Sequence, residues 1–297
     1  MASVKLPSAR ALQLLHERKL LPVFPGVLTR LDEVIKNPHS NGDDVAAVLA
    51  ADVLLASRVM RAASGVRYGP KPPSSLVEAV ARLGLVEVRA IALAVAFSAS
   101  FARPANISLT VFWQHAFVAA VATRALTQWL SVHRQLSVCD AVTAFLLGLS
   151  HDMGMLLLDL LEPDQYAQVL QAVHNGEDQL LAEQRFVGTT HAVMSAALLH
   201  HWHFSDQMSM ALAGHHYPVR LQPAVQHWAD VVLLGEALAA SLGYVNGVYT
   251  NISDMMQEVV EQRRAAMQLD DDVWHEIGSM VSHQLEEEGW LELANGI

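Results

Sequence analysis

The run FLLGLSHDMGMLLLDL, Phe145 to Leu160, sets a histidine and an aspartate side by side in a largely apolar stretch. Burying an unpaired ionised carboxylate costs several kcal/mol, so Asp152 needs hydrogen bonds, a counter-charge or a metal. Other residues of the same chemistry recur in similar settings. His115 lies inside SLTVFWQHAFVAAVATRAL, His191 begins THAVMSAALL, His215 and His216 close MALAGHHYP, and Asp230 sits in HWADVVLLGEAL. Taken singly, each reads as a hydrogen-bonded polar residue of a core. Taken together, imidazoles and carboxylates from several helices suggest convergence on one ion or two. Neutral imidazole nitrogens mixed with carboxylate oxygens suit iron, manganese, zinc or nickel, and several nitrogen ligands argue against calcium or magnesium. Asp152 is the expected bridging ligand, because a carboxylate has two oxygens to share.

The remaining histidines have simpler explanations. His16, His39, His133, His174 and His283 stand in polar or terminal contexts and are expected to be solvated. His200, His201 and His203 share a helix end, where imidazolium faces the negative pole of the helix dipole. Cys139 on an apolar helix is expected to be inert, and there is neither a nucleophile elbow nor a phosphate-cradling glycine loop.

Helices must position these groups. Nearly every segment carries the helical period and none sustains alternation of period two, so the fold is expected to be all-α. Val45 to Ala63 holds apolar residues at three- and four-residue steps after the turn-like NPHSNG, with Asp43 or Asp44 as cap. Ser75 and Glu78 have capping-box spacing, predicting a helix from Leu76, and Gly84 predicts a break in it. Further helices are expected near 108–131, 138–161, 164–175, 177–186, 190–203, 206–216, 223–243, 252–267 and 271–289. The segment RPAN, Arg103 to Asn106, is the expected boundary between two lobes, residues 1–104 and 105–297, because Pro104 disfavours helix in the residue before it.

Composition excludes several classes. Of 297 residues, 52% are hydrophobic and 16% charged, enough for a sizeable core. A formal net charge of -11 argues against a general nucleic-acid-binding surface, which needs a basic footprint. The opening MASVKLPSARALQLL has no secretory-signal pattern, and the apolar run near Ala90 to Ala102 is too short to span a bilayer. With one cysteine, the expectation is a cytoplasmic protein without membrane insertion.

The order His115, His151-Asp152, Asp230 resembles the H…HD…D signature of the HD superfamily of metal-dependent phosphohydrolases. Adding His191 and His215-His216 resembles the longer ligand set of the HD-GYP cyclic-di-GMP phosphodiesterases. The first lobe is more specific: LPVFPGVLTRLDEVI, VAAVLAADVLLASRVMRAASGVRYG and PPSSLVEAVARLGLVEVRAIALAVA are similar to the opening of the HDOD family. The resemblance covers roughly Leu21 to Pro218. It departs where the family's proline after the first-lobe aspartate is Val53 and its asparagine before the serine is Ala63. Relative to the HD-GYP enzymes, the lysine after the HD glycine is Met155, a glutamate ligand falls at Val111, and HHYP is only a fragment of the glycine-tyrosine-proline region.

The resemblance implies a non-catalytic regulatory protein of bacterial signalling, acting by binding signalling proteins or a small phosphorylated ligand. Loss of the phosphate-handling lysine agrees with that. Retention of the His-Asp skeleton fits the alternative, a metal-dependent phosphohydrolase acting on a nucleotide or cyclic dinucleotide with Asp152 at the catalytic centre. Arg58, Arg61, Arg67 and Lys71 read as solvated charges of the first lobe, Trp113 and Trp202 as core near the histidine motifs, and the tail QLEEEGWLELANGI as a solvated helix end.

Overall fold

The computed structural model describes residues 10–11, 13–14, 22, 24–65, 68–69, 71–101, 103–249, 254–288 and 290–291. His16, Arg67, Leu21 of the LPVFP opening and the tail beyond Leu291 lie outside them. Among the described residues every regular element is helical and no strand occurs, as the periodicity requires. The chain divides into two compact units, Pro22–Phe101 with Ser282–Ile297, and Ala102–Val281 with Met1–Leu21. One break between the units lies at Phe101/Ala102, just before the RPAN segment.

In the smaller unit, α1 (Gly26–Lys36), α2 (Gly42–Ala50), α3 (Val53–Ala62) and α4 (Leu76–Ser100) follow one another. The expected single helix over 45–63 is two. Asn41, not Asp43 or Asp44, caps α2: its side chain accepts from the backbone of Asp43 and Asp44, and Asp44 returns a 2.9 Å bond to the Asn41 N–H. Asp52 then caps α3 by accepting from Leu55 N–H at 3.0 Å, so a second start signal interrupts one apolar stripe. In α4 the cap is Ser75 as expected, and Gly84 breaks the helix with φ 76° and ψ 163°, a conformation costly for any residue with a Cβ. Beyond it, Val88 to Ser98 is almost wholly buried.

In the larger unit, α5 (Leu109–Arg134) packs against α6 (Ala141–Ser150) and α12 (Pro223–Ser241). Between them come α7 (Met153–Leu161), α8 (Pro163–His174), α9 (Gln179–Phe186), α10 (His191–His201), α11 (Asp206–Ala213) and a 3-10 turn at Pro218–Arg220. The chain closes with α13 (Asp254–Ala266) and α14 (Asp271–Glu288). The apolar stretch Ala141–Leu161 is long and apolar enough to cross a membrane, but most of it is buried inside the protein. It is also not one helix: His151 and Asp152 form a turn between α6 and α7. At the start of this unit Asp159 on α7 holds the chain entering α5. Its carboxylate accepts from Asn106 N–H at 2.7 Å, Asn106 Nδ2 at 2.6 Å and Ile107 N–H at 2.9 Å.

Candidate metal centre

The cluster forms where four element ends and one helix face meet. His115 projects from the middle of α5, the His151-Asp152 turn follows α6, His191 opens α10, and His215 and His216 occupy the turn after α11. Two close approaches fix the turn against α10. A Cβ at Gly154 would overlap the His191 carbonyl oxygen, so only glycine lets α7 come this near. The Ser195 hydroxyl donates to the His151 carbonyl at 2.6 Å and accepts from Gly154 N–H at 2.7 Å.

The five imidazoles and Asp152 are all buried. The rings form a continuous series, His115 to His151 at 5.2 Å between centroids, His151 to His215 at 5.5 Å, His215 to His216 at 3.9 Å and His216 to His191 at 4.9 Å. Asp152 joins its ends: Oδ2 lies 3.4 Å from His151 Nε2 and 3.6 Å from His115 Nε2, and Oδ1 lies 3.3 Å from His191 Nε2. Two sets of three ligand atoms are within reach of one ion each, His115-His151-Asp152 and His191-His215-His216.

What surrounds the rings determines which nitrogens are bare. His115 Nδ1 sits 2.8 Å from the Tyr244 carbonyl, His151 Nδ1 2.7 Å from the Gly148 carbonyl and His215 Nδ1 2.6 Å from the Leu212 carbonyl. A carbonyl only accepts, so in each ring the proton is assigned to Nδ1 and Nε2 keeps its lone pair. Glu183 fixes His191 Nδ1 as a donor, accepting from it at 2.8 Å and from the His191 backbone N–H at 2.7 Å, while His191 Nε2 shares a hydrogen bond with His216 Nε2 at 2.8 Å. The bare Nε2 atoms of His115 and His151 then face each other at 3.3 Å beside a carboxylate oxygen. His215 Nε2, His216 Nδ1, Asp152 Oδ1 and Glu236 Oε2 are buried with no hydrogen-bond partner. A buried gathering of lone pairs with so few donors is unfavourable by itself and is relieved by a cation. The residues therefore fit a divalent transition metal, with imidazoles oriented by carbonyl and carboxylate partners as metal-binding histidines usually are.

The electrostatics follow from burial and crowding. Burial, reinforced by His151, lowers His115 to about 4. Burial with the charges of His151 and His191 lowers His215 to about 3, and burial with His215 lowers His216 well below the ordinary value. Burial opposes the charge on His191 too, but Glu183 overrides it and raises that group to about 9. Burial would raise Asp152, yet the imidazoles around it, His151 foremost, hold it below the usual carboxylate range. Glu236 goes the other way: burial and the nearby Asp152 push it up to about 7.

Six of the seven residues marked in the sequence meet: His115, His151, Asp152, His191, His215 and His216. Asp230 does not join them. Both its oxygens are taken by Arg263, at 2.7 and 2.8 Å, and His227 lies 3.4 Å away. Instead Glu236, six residues further along α12, presents Oε2 at 3.9 Å from both His215 Nε2 and His216 Nδ1. Glu183 and Asn246 also escaped sequence reasoning. Asn246 Nδ2 donates to Asp152 Oδ2 at 2.8 Å and touches Met155 Sδ at 3.6 Å. Tyr249 donates to Glu236 Oε1 at 2.9 Å, so the segment Tyr244–Tyr249 supports His115, Asp152 and Glu236 at once.

Among the described residues, the other histidines stay apart from the cluster. His39, His133, His174, His200, His201, His203 and His283 are exposed. Burial and Asp140 push the Cys139 thiol up to about 12, in keeping with an inert side chain. Trp113 is core, stacked on Phe117.

Comparison with known proteins places these features in context. The HDOD domain matches residues 21–218. Among solved structures, a candidate phosphohydrolase from Shewanella amazonensis SB2B is 22% identical with a TM-score of 0.73, covering 97% of this chain and 98% of that one. An HDOD domain protein of unknown function from Geobacter sulfurreducens is 18% identical, with TM-score 0.74 and coverages of 96% and 97%. A candidate signal transduction protein from Marinobacter aquaeolei VT8 is 21% identical, with TM-score 0.75, covering 99% of this chain and 68% of that one. These likenesses establish a shared fold. No curated protein matches the chain.

Proposed function

The chain belongs to the HDOD family, and from that premise we propose that it is a regulatory module of bacterial signal transduction. It acts in the cytoplasm by binding signalling proteins or a small phosphorylated ligand. Its buried centre holds one or two divalent ions of iron, manganese, zinc or nickel, with His115, His151, Asp152, His191, His215 and His216 as ligands and Asp152 as the bridge. The observation that carries this reading is the sealed, acceptor-rich cluster bounded by a thioether. Met155 is fully buried against Asn246, and it stands where the resemblance to phosphodiesterases places a lysine. Phosphoryl transfer builds charge on non-bridging oxygens, which a lysine stabilises and a thioether does not. Loss of one such group commonly costs about 10² to 10³ in rate.

Retention of the His115-His151-Asp152 set supports a second reading, a metal-dependent phosphohydrolase of nucleotides or cyclic dinucleotides. A divalent ion supplies Lewis acidity toward a phosphoryl oxygen. The deciding experiment measures metal content and hydrolysis of cyclic dinucleotides and simple phosphodiesters, with manganese and with iron, for wild type, Asp152→Ala and Met155→Lys. The regulatory reading expects metal in the wild type, none in Asp152→Ala, and negligible turnover. Robust turnover by the wild type that vanishes in Asp152→Ala would overturn it in favour of the enzyme.

A further inference from the structure

We propose that Glu236 is a protein ligand of the ion held by His191, His215 and His216, in the place the H…HD…D pattern gives to Asp230. The proposal rests on the metal-binding reading above and adds a residue to it. Four observations carry it. Asp230 is already saturated, its two oxygens bonded in parallel by Arg263 at 2.7 and 2.8 Å. Glu236 is buried, and its Oε2 has no hydrogen-bond partner although two imidazoles stand close. Those contacts, to His215 Nε2 and His216 Nδ1, are both 3.9 Å, and both nitrogens also lack hydrogen-bond partners. That separation is too long for a hydrogen bond and matches two ligand atoms around one ion: at metal–ligand distances of about 2.1 Å they stand roughly 3–4 Å apart. Finally, the other oxygen of Glu236 is fixed by the Tyr249 hydroxyl at 2.9 Å, which aims Oε2 at the histidines.

The helix explains the exchange. Six residues separate the two carboxylates, which turns them about 120° apart around α12 and about 9 Å along it. Only one of them can face the imidazoles, and the partner supplied by α13 for Asp230 leaves that role to Glu236. Glu236 lies beyond Pro218, the last residue of the family match, so the ligand comes from a part of the chain the match does not describe.

Calorimetric titration of the metal-depleted full chain with zinc ion tests this, read as stoichiometry and affinity, with circular dichroism to verify folding. The wild type is expected to take two equivalents. Glu236→Gln, nearly isosteric, should keep one tight equivalent and weaken the other at least 100-fold. Tyr249→Phe, which leaves the carboxylate but removes its orienting bond, should weaken the same equivalent about tenfold. Asp230→Asn should leave both. Unchanged zinc binding by a folded Glu236→Gln protein, beside a metal-binding wild type, overturns the role of Glu236 while leaving the wider reading intact. Loss of an equivalent in folded Asp230→Asn would likewise restore Asp230 as the ligand. A folded wild type that takes no zinc overturns this proposal and the metal reading together.

Discussion

Two carboxylates of the larger unit, seven residues apart in the chain, are buried under opposite conditions. Asp159 receives three hydrogen bonds from Asn106 and Ile107, and nothing on it is left open. Asp152 receives one, from Asn246, while Oδ1 has no hydrogen-bond partner and both oxygens face imidazole nitrogens. Both oxygens of Asp159 serve the fold, tying the start of α5 to α7. Asp152 leaves capacity for something the chain does not supply. A buried charge is thus informative through its unmet bonds rather than its burial.

That contrast can be broken by measurement. The largest effect should be metal-linked: zinc at about a thousand times its Kd stabilises a protein that binds it only when folded by roughly 4 kcal/mol. Thermal melts with and without zinc should show this for the wild type, and the increment should vanish in Asp152→Ala. Next, Asp159→Ala strands buried donors and should cost about 2–3 kcal/mol in chemical denaturation, with zinc stoichiometry unchanged. Loss of metal binding in a folded Asp159→Ala protein would erase the distinction between the two sites.

The pH dependence of the metal-free protein should be smaller and graded. His115 and His215, lowered to about 4 and about 3, stay neutral in the folded state while the unfolded chain takes up protons near 6.5. Folding stability from these groups is therefore complete above about 6.5 and falls as pH drops toward 4. Glu236, raised to about 7, and His191, raised to about 9, act in the opposite sense, losing stability as pH rises through 4.5–7 and 6.5–9 respectively. With His216 also lowered, the imidazoles outnumber Glu236 on the acid side, so the melting temperature should fall between pH 6.5 and 4. A flat profile there would count against neutral imidazoles packed together. The smallest effect should come from the exposed Lys36–Asp32 pair in α1, 3.3 Å long: Lys36→Ala should change stability by less than about 0.5 kcal/mol.

The sequence shows the same contrast only in part. Helix positions followed from periodicity, and the His-Asp skeleton followed from polar residues intruding on apolar runs. The split at residues 151–152 did not, because the hydrophobic pattern continues unbroken through the turn. Glu236 carries the same signal as Asp152, a lone charge between Val231 and Ala240, and so does Asp159 within MLLLDLL. One of these is satisfied by the chain and the others are not. That difference depends on Asn106 and Ile107, some fifty positions away, and cannot be read locally. Glu183 was hidden for another reason: on α9 it looks like an ordinary helix-surface glutamate, and only the approach of α10 makes it the partner of His191. Asp230 misled because motif spacing records chain position and not direction around a helix.

The Gly154 contact has one more consequence, for ion size. With no side chain between α7 and the His191 carbonyl, and with Ser195 bridging both backbones, the span from Asp152 to His191 is set by main-chain contact. Transition-metal ions bind such ligands at about 2.0–2.2 Å, whereas calcium requires about 2.3–2.6 Å and more oxygens. For any ion that the cluster would hold, that main-chain spacing favours the shorter bonds of a transition metal over those of calcium, quite apart from the chemistry of the nitrogens.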